Sequence, residues 1–218
     1  MMNWKQLISA KRFGMEEFHE ERQENRSEFQ RDYDRLIFSA PFRRLQNKTQ
    51  VFPLPGSVFV HNRLTHSLEV ASVGRSLGDD VAKALLERHP ELQDSFLPEI
   101  GSIVSAACLA HDLGNPPFGH SGEKAISTFF SEGKGVRLKE KQPNGEQLSP
   151  MEWEDLTHFE GNANAFRILT HQFEGRRKGG FVLTYTTLAS IVKYPFSSSL
   201  AGTKSKFGFF VSEEESFQ

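Results

Sequence analysis

Apolar residues recur at helical spacing over most of the chain. Between Leu64 and Arg88 they form one rough stripe, which predicts a long helix that could break at Gly74 or Gly78. Small and apolar residues fill positions 103–113, and glycine and proline follow directly, so we expect a buried helix that stops at Gly114. The same spacing predicts two short helices between Asp32 and Leu45, a helix from about Ser121 to Phe130, and another from Trp153 to Gly175.

Four segments lack this spacing. Residues 1–30 form a charged arm, either solvated or able to bind a partner as a helix, and 51–60 predict a small β-hairpin. Residues 131–150 combine many breakers with no period and predict a mobile surface loop, and the tail 181–218 settles into no period. We therefore predict an all-α fold with a minor hairpin, made of the arm and one domain over residues 31–218.

Composition narrows the class of protein. The 26 basic and 28 acidic residues nearly cancel, so net charge gives no argument for a nucleic acid or a membrane surface as partner. The single Cys108 lies in an apolar run, which is typical of a buried thiol in a reducing compartment, and no signal peptide or membrane span is evident. We expect a cytoplasmic protein. A local anionic ligand is still compatible with the sequence, because basic residues are concentrated in the first third of the chain. They are Arg31, Arg35, Arg43, Arg44, Lys48, Arg63 and Arg75.

Polar residues interrupt the apolar helices at a few positions. His111 and Asp112 end a helix that is otherwise small and apolar, and His66 begins another. Two imidazoles and a carboxylate are ligands for Mn, Fe, Co, Ni or Zn or, with more waters, Mg. Taken alone, the His-Asp pair is also compatible with a core histidine that is hydrogen-bonded to its neighbour. The sequence thus offers a candidate site for a divalent metal ion.

A Gly/Pro turn follows directly and returns the chain into a new helix. His120 and Glu123 are three positions apart there, so they share one helix face close to the candidate metal site. A histidine oriented by a carboxylate is a common general acid or base near neutral pH. We interpret this pair as a candidate catalytic dyad.

Four segments resemble the deoxyguanosine triphosphate triphosphohydrolases of the HD superfamily. They are PFRRLQNKTQV at 41–51, NRLTHSLEV at 62–70, AHDLGNPPFGHSGE at 110–123 and HFEGNA at 158–163. The resemblance implies an α-helical HD fold and a dNTP substrate, with dGTP foremost. It also implies hydrolysis at the α-phosphorus to a deoxynucleoside and inorganic triphosphate, with a divalent metal ion as cofactor. Full-length relatives often form homo-oligomers, and a nucleotide effector or single-stranded DNA is a further candidate partner.

The resemblance also implies a role for each matched residue. His66, His111 and Asp112 would be metal ligands, with His120 and Glu123 as the catalytic pair. Arg63 would contact the phosphate, or else form an exposed salt bridge, and Gln50 with Val51 would face the deoxyribose. His158, Glu160 and Asn162 would border the substrate, although Glu160 and Asn162 could equally be capping groups of a helix.

The chain departs from the family pattern at its downstream end. The family has a fourth metal ligand, an aspartate, and after Asp112 only Asp155 remains, which is too early to match. Family chains are about twice as long, so we expect a truncated chain in which the apolar end 206–210 lacks a partner surface. Such a fragment should bind metal weakly and have little activity. The alternatives are another HD phosphohydrolase, either a phosphomonoesterase or a diesterase, and a non-catalytic sensor of dNTP or single-stranded DNA.

Overall fold

The described part of the chain is helical. The computed structural model describes residues 3–17, 26–49, 61–175, 178–201 and 206–218. Its α-helices are α1 (Trp4–Leu7), α2 (Glu28–Ile37), α3 (Ala40–Arg44), α4 (Arg63–Arg88), α5 (Ile100–Ala110), α6 (His120–Ser131), α7 (Pro150–Thr157), α8 (Gly161–Thr170), α9 (Tyr185–Ile191) and α10 (Glu214–Phe217). Strand pairing within these residues is limited to two isolated bridges, Arg12 with Thr184 and Ser197 with Phe209. The predicted all-α class is confirmed, while the predicted hairpin at 51–60 lies outside the described residues.

Helix α5 lies at the centre of the fold. Its small side chains let α2, α4 and α9 pack closely around it, and Ala106, Leu109 and Ala110 are buried in the main apolar core. The hydroxyl of Ser105 donates to the Ala71 carbonyl of α4 at 3.0 Å, so this buried polar group is satisfied. None of the helices in the described ranges is long and apolar enough to cross a membrane.

Helix α4 runs unbroken, contrary to the predicted interruption at Gly74 or Gly78. Both glycines face α5. A Cβ at Gly74 would lie 2.7 Å from Cys108 Sγ, and one at Gly78 would lie 2.7 Å from Gly101 Cα. The glycines therefore allow the two backbones to approach, and the close packing of α4 on α5 outweighs their low helix propensity of about 1 kcal/mol each.

We predict that Gly78→Ala destabilises the protein. On an exposed helix this change would be favourable by up to about 1 kcal/mol. Here the added methyl group would meet the α5 backbone, and overpacking of this kind costs about 1–3 kcal/mol. Guanidinium unfolding should show a net loss for Gly78→Ala and almost none for Ser72→Ala, an exposed position on the same helix. Equal stability of the two variants would contradict the close approach.

The N-terminal arm is partly built into the fold. Ile8 is buried, and Arg12 donates to Asp32 Oδ1 of α2 at 2.7 Å and to the Val182 carbonyl at 2.6 Å. Asp32 in turn accepts from the Thr184 hydroxyl at 2.7 Å. These residues of the arm are therefore packed against the rest of the fold rather than solvated.

Three predicted boundaries differ in the structure. The helix expected over 103–113 ends at Ala110, because the chain turns at His111 and Leu113 N donates back to Ala110 O. The helix expected over 153–175 is two helices, α7 and α8, separated at residues 158–160. Within the loop predicted at 131–150, residues Lys134–Lys139 form a 3-10 helix.

The tail packs against the rest of this chain. Phe207 and Phe210 are buried in a small cluster with Ala163, and Asp155 of α7 accepts from Val211 N at 3.0 Å. The expectation that the apolar end lacks a partner surface is therefore wrong, since its phenylalanines are covered by α8 and its surroundings.

Candidate active site

Two helix ends bring the three predicted metal ligands together. Helix α4 starts with a capping box in which Asn62 and Thr65 bond each other's backbone, which places His66 in the first turn. His111 and Asp112 directly follow the last turn of α5, which packs along α4. One ligand atom from each of His66, His111 and Asp112 lies within 4.8 Å of the others. Among the described residues this is the group of His, Cys, Asp and Glu side chains that could hold a metal ion, and we call these three residues the metal cluster.

The donor atoms at this cluster fit a divalent metal ion. His111 Nδ1 lies 2.6 Å from the Cys108 carbonyl, which can only accept, so Nδ1 carries the proton and Nε2 keeps its lone pair. Asp112 Oδ1 accepts from Asn115 Nδ2 at 2.6 Å. Asp112 Oδ2 is buried and has no hydrogen-bond partner within the described ranges. A buried carboxylate oxygen without a donor is costly, and a cation would satisfy it.

Arg63 lies inside the fold beside this cluster. Its side chain is 3% exposed, and Nη1 lies 2.8 Å from Asp112 Oδ1 in an ion pair, while Nη1 and Nε have no hydrogen-bond partner among the described residues. The alternative of an exposed salt bridge is thus wrong, because the pair is buried. Contact with a phosphate stays a prediction for Arg63, and its observed partner is a carboxylate of the metal cluster.

The turn after Asp112 leads into α6, the helix that carries the dyad. Gly119 adopts φ +55, which favours glycine, and α6 starts at the next residue. His120 Nδ1 lies 2.8 Å from Glu123 Oε2, and Glu123 Oε1 accepts from the Gly161 N–H at 2.9 Å. The His120 side chain is 83% exposed whereas that of Glu123 is 11% exposed. A buried carboxylate thus orients an imidazole that an incoming molecule can reach.

Glu123 remains ionised at neutral pH. Burial raises the pKa of its carboxyl, but hydrogen bonds from His120 and Gly161 and the charge of Lys206 lower it, and the lowering effects prevail. Since an ionised carboxylate only accepts, His120 Nδ1 is the donor in this pair.

This lowered pKa predicts a pH dependence of folding stability. A carboxyl whose pKa is lower in the folded state contributes stability that is present above its ordinary value of 4.5. That contribution is lost as pH falls through the folded-state pKa. The free energy of unfolding of the protein minus that of Glu123→Gln should therefore shrink as pH falls below about 5 and through the folded-state pKa. Guanidinium unfolding in EDTA measures it, and a difference independent of pH would contradict the lowered pKa.

The segment at 158–162 adopts the capping arrangement. Glu160 is the N-cap of α8 and accepts from Asn162 N at 2.6 Å and Ala163 N at 3.1 Å. Asn162 Nδ2 also donates to Glu160 Oε1 at 2.8 Å. His158 is exposed and bonds the Glu154 carbonyl. A substrate contact stays a prediction for all three, and Gln50 with Val51 lies outside the described residues.

Sequence reasoning missed residues that connect the site. Asn115 bonds the metal-cluster carboxylate of Asp112, and a Cβ at Gly161 would lie 2.1 Å from Asn115 Oδ1. Gly161 therefore lets α8 approach both Asn115 and Glu123. Lys206 of the tail reaches Glu123 and Glu160. Asn115 lies in the Gly/Pro turn between the metal cluster and the dyad, which could have pointed to it, but no local pattern marks Lys206, which is distant in sequence.

Comparison with known proteins identifies a family for this chain. Residues 63–180 match the HD domain. A deoxyguanosinetriphosphate triphosphohydrolase-like protein of Synechocystis sp. is 46% identical over 99% of this chain and 50% of the relative. A protein of Pseudomonas aeruginosa with the same name is 47% identical over 97% and 47%, respectively. The deoxyguanosinetriphosphate triphosphohydrolase of Yersinia enterocolitica is 37% identical over 98% and 47%.

The match therefore covers almost all of this chain but only part of each relative. The chain spans about half the length of the curated relatives it matches. The matched HD domain includes His66, His111 and Asp112 as well as His120 and Glu123. The match over more than half of its length shows that the chain belongs to the HD-domain family.

Proposed function

We propose that this protein hydrolyses a deoxynucleoside triphosphate, with dGTP as the first candidate, to a deoxynucleoside and inorganic triphosphate. Water adds to the α-phosphorus, the bond from that phosphorus to the 5′ oxygen breaks, and the 5′ oxygen takes up a proton. The observation that supports the proposal is the connection between the cluster of His66, His111 and Asp112 and the dyad of His120 and Glu123. Asn115 donates to Asp112, and a Cβ at Gly161 would lie 2.1 Å from Asn115 Oδ1 and 2.9 Å from Glu123 Oε1. The names of the relatives supply the candidate substrate.

The metal cluster supports a hydrolytic reaction. His66, His111 and Asp112 would hold a divalent ion, and such an ion when bound polarises phosphate oxygens and lowers the pKa of water. His111 is oriented by the Cys108 carbonyl and Asp112 by Asn115, so these two ligands are fixed before any ion arrives. Asp112 is also held by the buried Arg63.

The dyad supports proton transfer at the reacting group. Glu123 fixes His120 through Nδ1, which leaves Nε2 as the atom that exchanges a proton with the substrate or water. The anchored carboxylate stabilises the imidazolium that forms when His120 takes up a proton. His120 would thus serve as the general acid or base, and Glu123 as the group that orients it.

Positive charge beside the cluster supports an anionic substrate. Lys48 is half-buried, and its pKa is lowered by burial first and then by the neighbouring charges of Arg63 and Arg44. Its ammonium donates to the Asn115 carbonyl at 3.0 Å, in the turn that joins the metal cluster to the dyad. Three cations close to one another favour binding of a polyphosphate at this face.

Product analysis tests the proposed function. A version of the protein that is as long as its relatives is incubated with dGTP and Mn²⁺, and phosphorus NMR identifies the products, with EDTA and His111→Ala as controls. We expect inorganic triphosphate that is absent in both controls. Orthophosphate or pyrophosphate would instead indicate another HD phosphohydrolase. Tight binding of dGTP without any product would indicate a sensor.

A further inference from the structure

The ammonium of Lys206 lies between two buried carboxylates next to the dyad. Its Nζ donates to Glu160 Oε1 at 2.7 Å and to Glu123 Oε2 at 3.4 Å. The same Oε2 atom of Glu123 accepts from His120 Nδ1 at 2.8 Å. Lys206 and His120 therefore share one oxygen of the carboxylate that orients the proposed acid or base.

Glu160 is a fixed anchor for this ammonium. Its side chain is 1% exposed, and its oxygens accept from both nitrogens of Asn162 and from the Ala163 N–H. A buried carboxylate needs a close opposite charge to offset the loss of hydration, and Lys206 supplies it. The ammonium is thus held in one place rather than ranging over the surface.

The backbone that follows Lys206 is held as well. Phe207 and Phe210 are buried in the cluster with Ala163, and Asp155 accepts from the N–H groups of Val211 and Ser212. Lys206 therefore directly precedes a packed segment of the tail, and its side chain contacts Glu123 of α6 and Glu160 at the start of α8.

We propose that Lys206 is a positioning residue for the catalytic dyad, which acts by holding the Glu123 carboxylate in the place and charge state in which it orients His120. It bridges Glu123 to the buried Glu160 and acts through these two carboxylates, not on the reacting atoms. The catalytic consequence rests on the proposed function, whereas the effect on Glu123 does not.

Within the described part of the chain, few charged groups other than Lys206 face the Glu123 carboxyl. His120 on its own helix and Glu160 at the start of α8 are the close ones. Helix α7 also packs against α6, but its acidic side chains bond elsewhere: Glu152 to Ser149, Glu154 to His158 and Asp155 to the tail. The basic residues of the 3-10 helix that contacts α6 are exposed: Lys134, Arg137 and Lys139. The charge of Lys206 should therefore be visible in the titration of Glu123.

The first test is spectroscopic and requires no activity. Carbon NMR follows the titration of the Glu123 side-chain carboxyl in the unaltered chain and in Lys206→Met, Lys206→Arg and the charge-matched control Lys141→Met, an exposed site. We expect the midpoint to rise by about half a unit to one unit in Lys206→Met and to stay in place in the other two. An unchanged midpoint in Lys206→Met would overturn the proposal. If that variant does not fold, Lys206→Gln keeps an N–H for Glu160 without the charge and gives the same comparison.

The second test is kinetic and separates positioning from direct binding of substrate. With dGTP and Mn²⁺, Lys206→Met should lower kcat about tenfold with KM almost unchanged, and Lys206→Arg should recover most of kcat. A raised KM with unchanged kcat would overturn the proposal, since Lys206 would then contribute to binding alone. Failure of a version as long as the relatives to hydrolyse any dNTP would refute the proposed function, and the titration would still decide the role of Lys206.

Discussion

His111→Ala should abolish both metal binding and hydrolysis. The substitution removes one of three neighbouring ligand atoms, and the Cys108 carbonyl that orients the imidazole cannot replace it. Since the bound ion is expected to contribute several kcal/mol to stabilising the charge on the reacting phosphate, turnover should fall by about 10³-fold or more. Titration calorimetry with Mn²⁺ and a triphosphate-release assay with dGTP measure the two losses.

A histidine that also follows the last turn of a helix serves as the matched control. His89 lies at the far end of α4, exposed and bonded to Glu91. His89→Ala should keep Mn²⁺ affinity and turnover. If His111→Ala binds Mn²⁺ as tightly as the unaltered chain, or if it retains turnover, the assignment of His111 as a ligand is wrong.

Glu123→Gln and His120→Ala should strongly reduce hydrolysis while leaving metal binding intact. General acid or base catalysis contributes about 10²–10⁴-fold, so kcat should fall by that factor in each variant. The two residues act as one unit through the bond from Nδ1 to Oε2, and the double variant should therefore lose little more than either single one. Steady-state kinetics with dGTP measures these factors, and Mn²⁺ titration checks that the metal site is unchanged.

The control for this pair lies at the end of the same helix. Glu132 follows the last turn of α6 and is exposed, so Glu132→Gln removes the same charge without touching the dyad. Its kcat should match that of the unaltered chain. Additive losses in the double variant, or a loss of Mn²⁺ affinity in Glu123→Gln, would contradict a separate dyad.

The metal cluster could be predicted from the sequence because local pattern encodes it. Two polar residues at the end of an apolar helix are costly to bury unless they pair with another group or bind an ion, and the motif around His66 supplied the third residue. The Gly/Pro turn in the same way indicated that His120 and Glu123 return to this region. Each of these inferences uses residues close in sequence or on one helix face.

Other features depend on contacts between distant segments. Gly78 suggested a break in α4, but the close approach of Gly101 makes it a packing residue in an unbroken helix. The phenylalanines of the tail suggested a missing partner surface, and α8 covers them instead. Lys206 is 83 positions from Glu123, so no periodicity could place its ammonium beside the dyad. Such contacts arise from tertiary packing, which pattern and propensity do not report.

The most direct test of the metal centre is to locate the ion. Crystals of the chain grown with Mn²⁺ and recorded above the manganese absorption edge would give an anomalous difference map. We expect one strong peak about 2.0–2.3 Å from a nitrogen of His66, from His111 Nε2 and from an oxygen of Asp112. A fully occupied manganese site on other residues, with no peak at this cluster, would contradict the central claim that these three side chains form the metal centre of a phosphohydrolase.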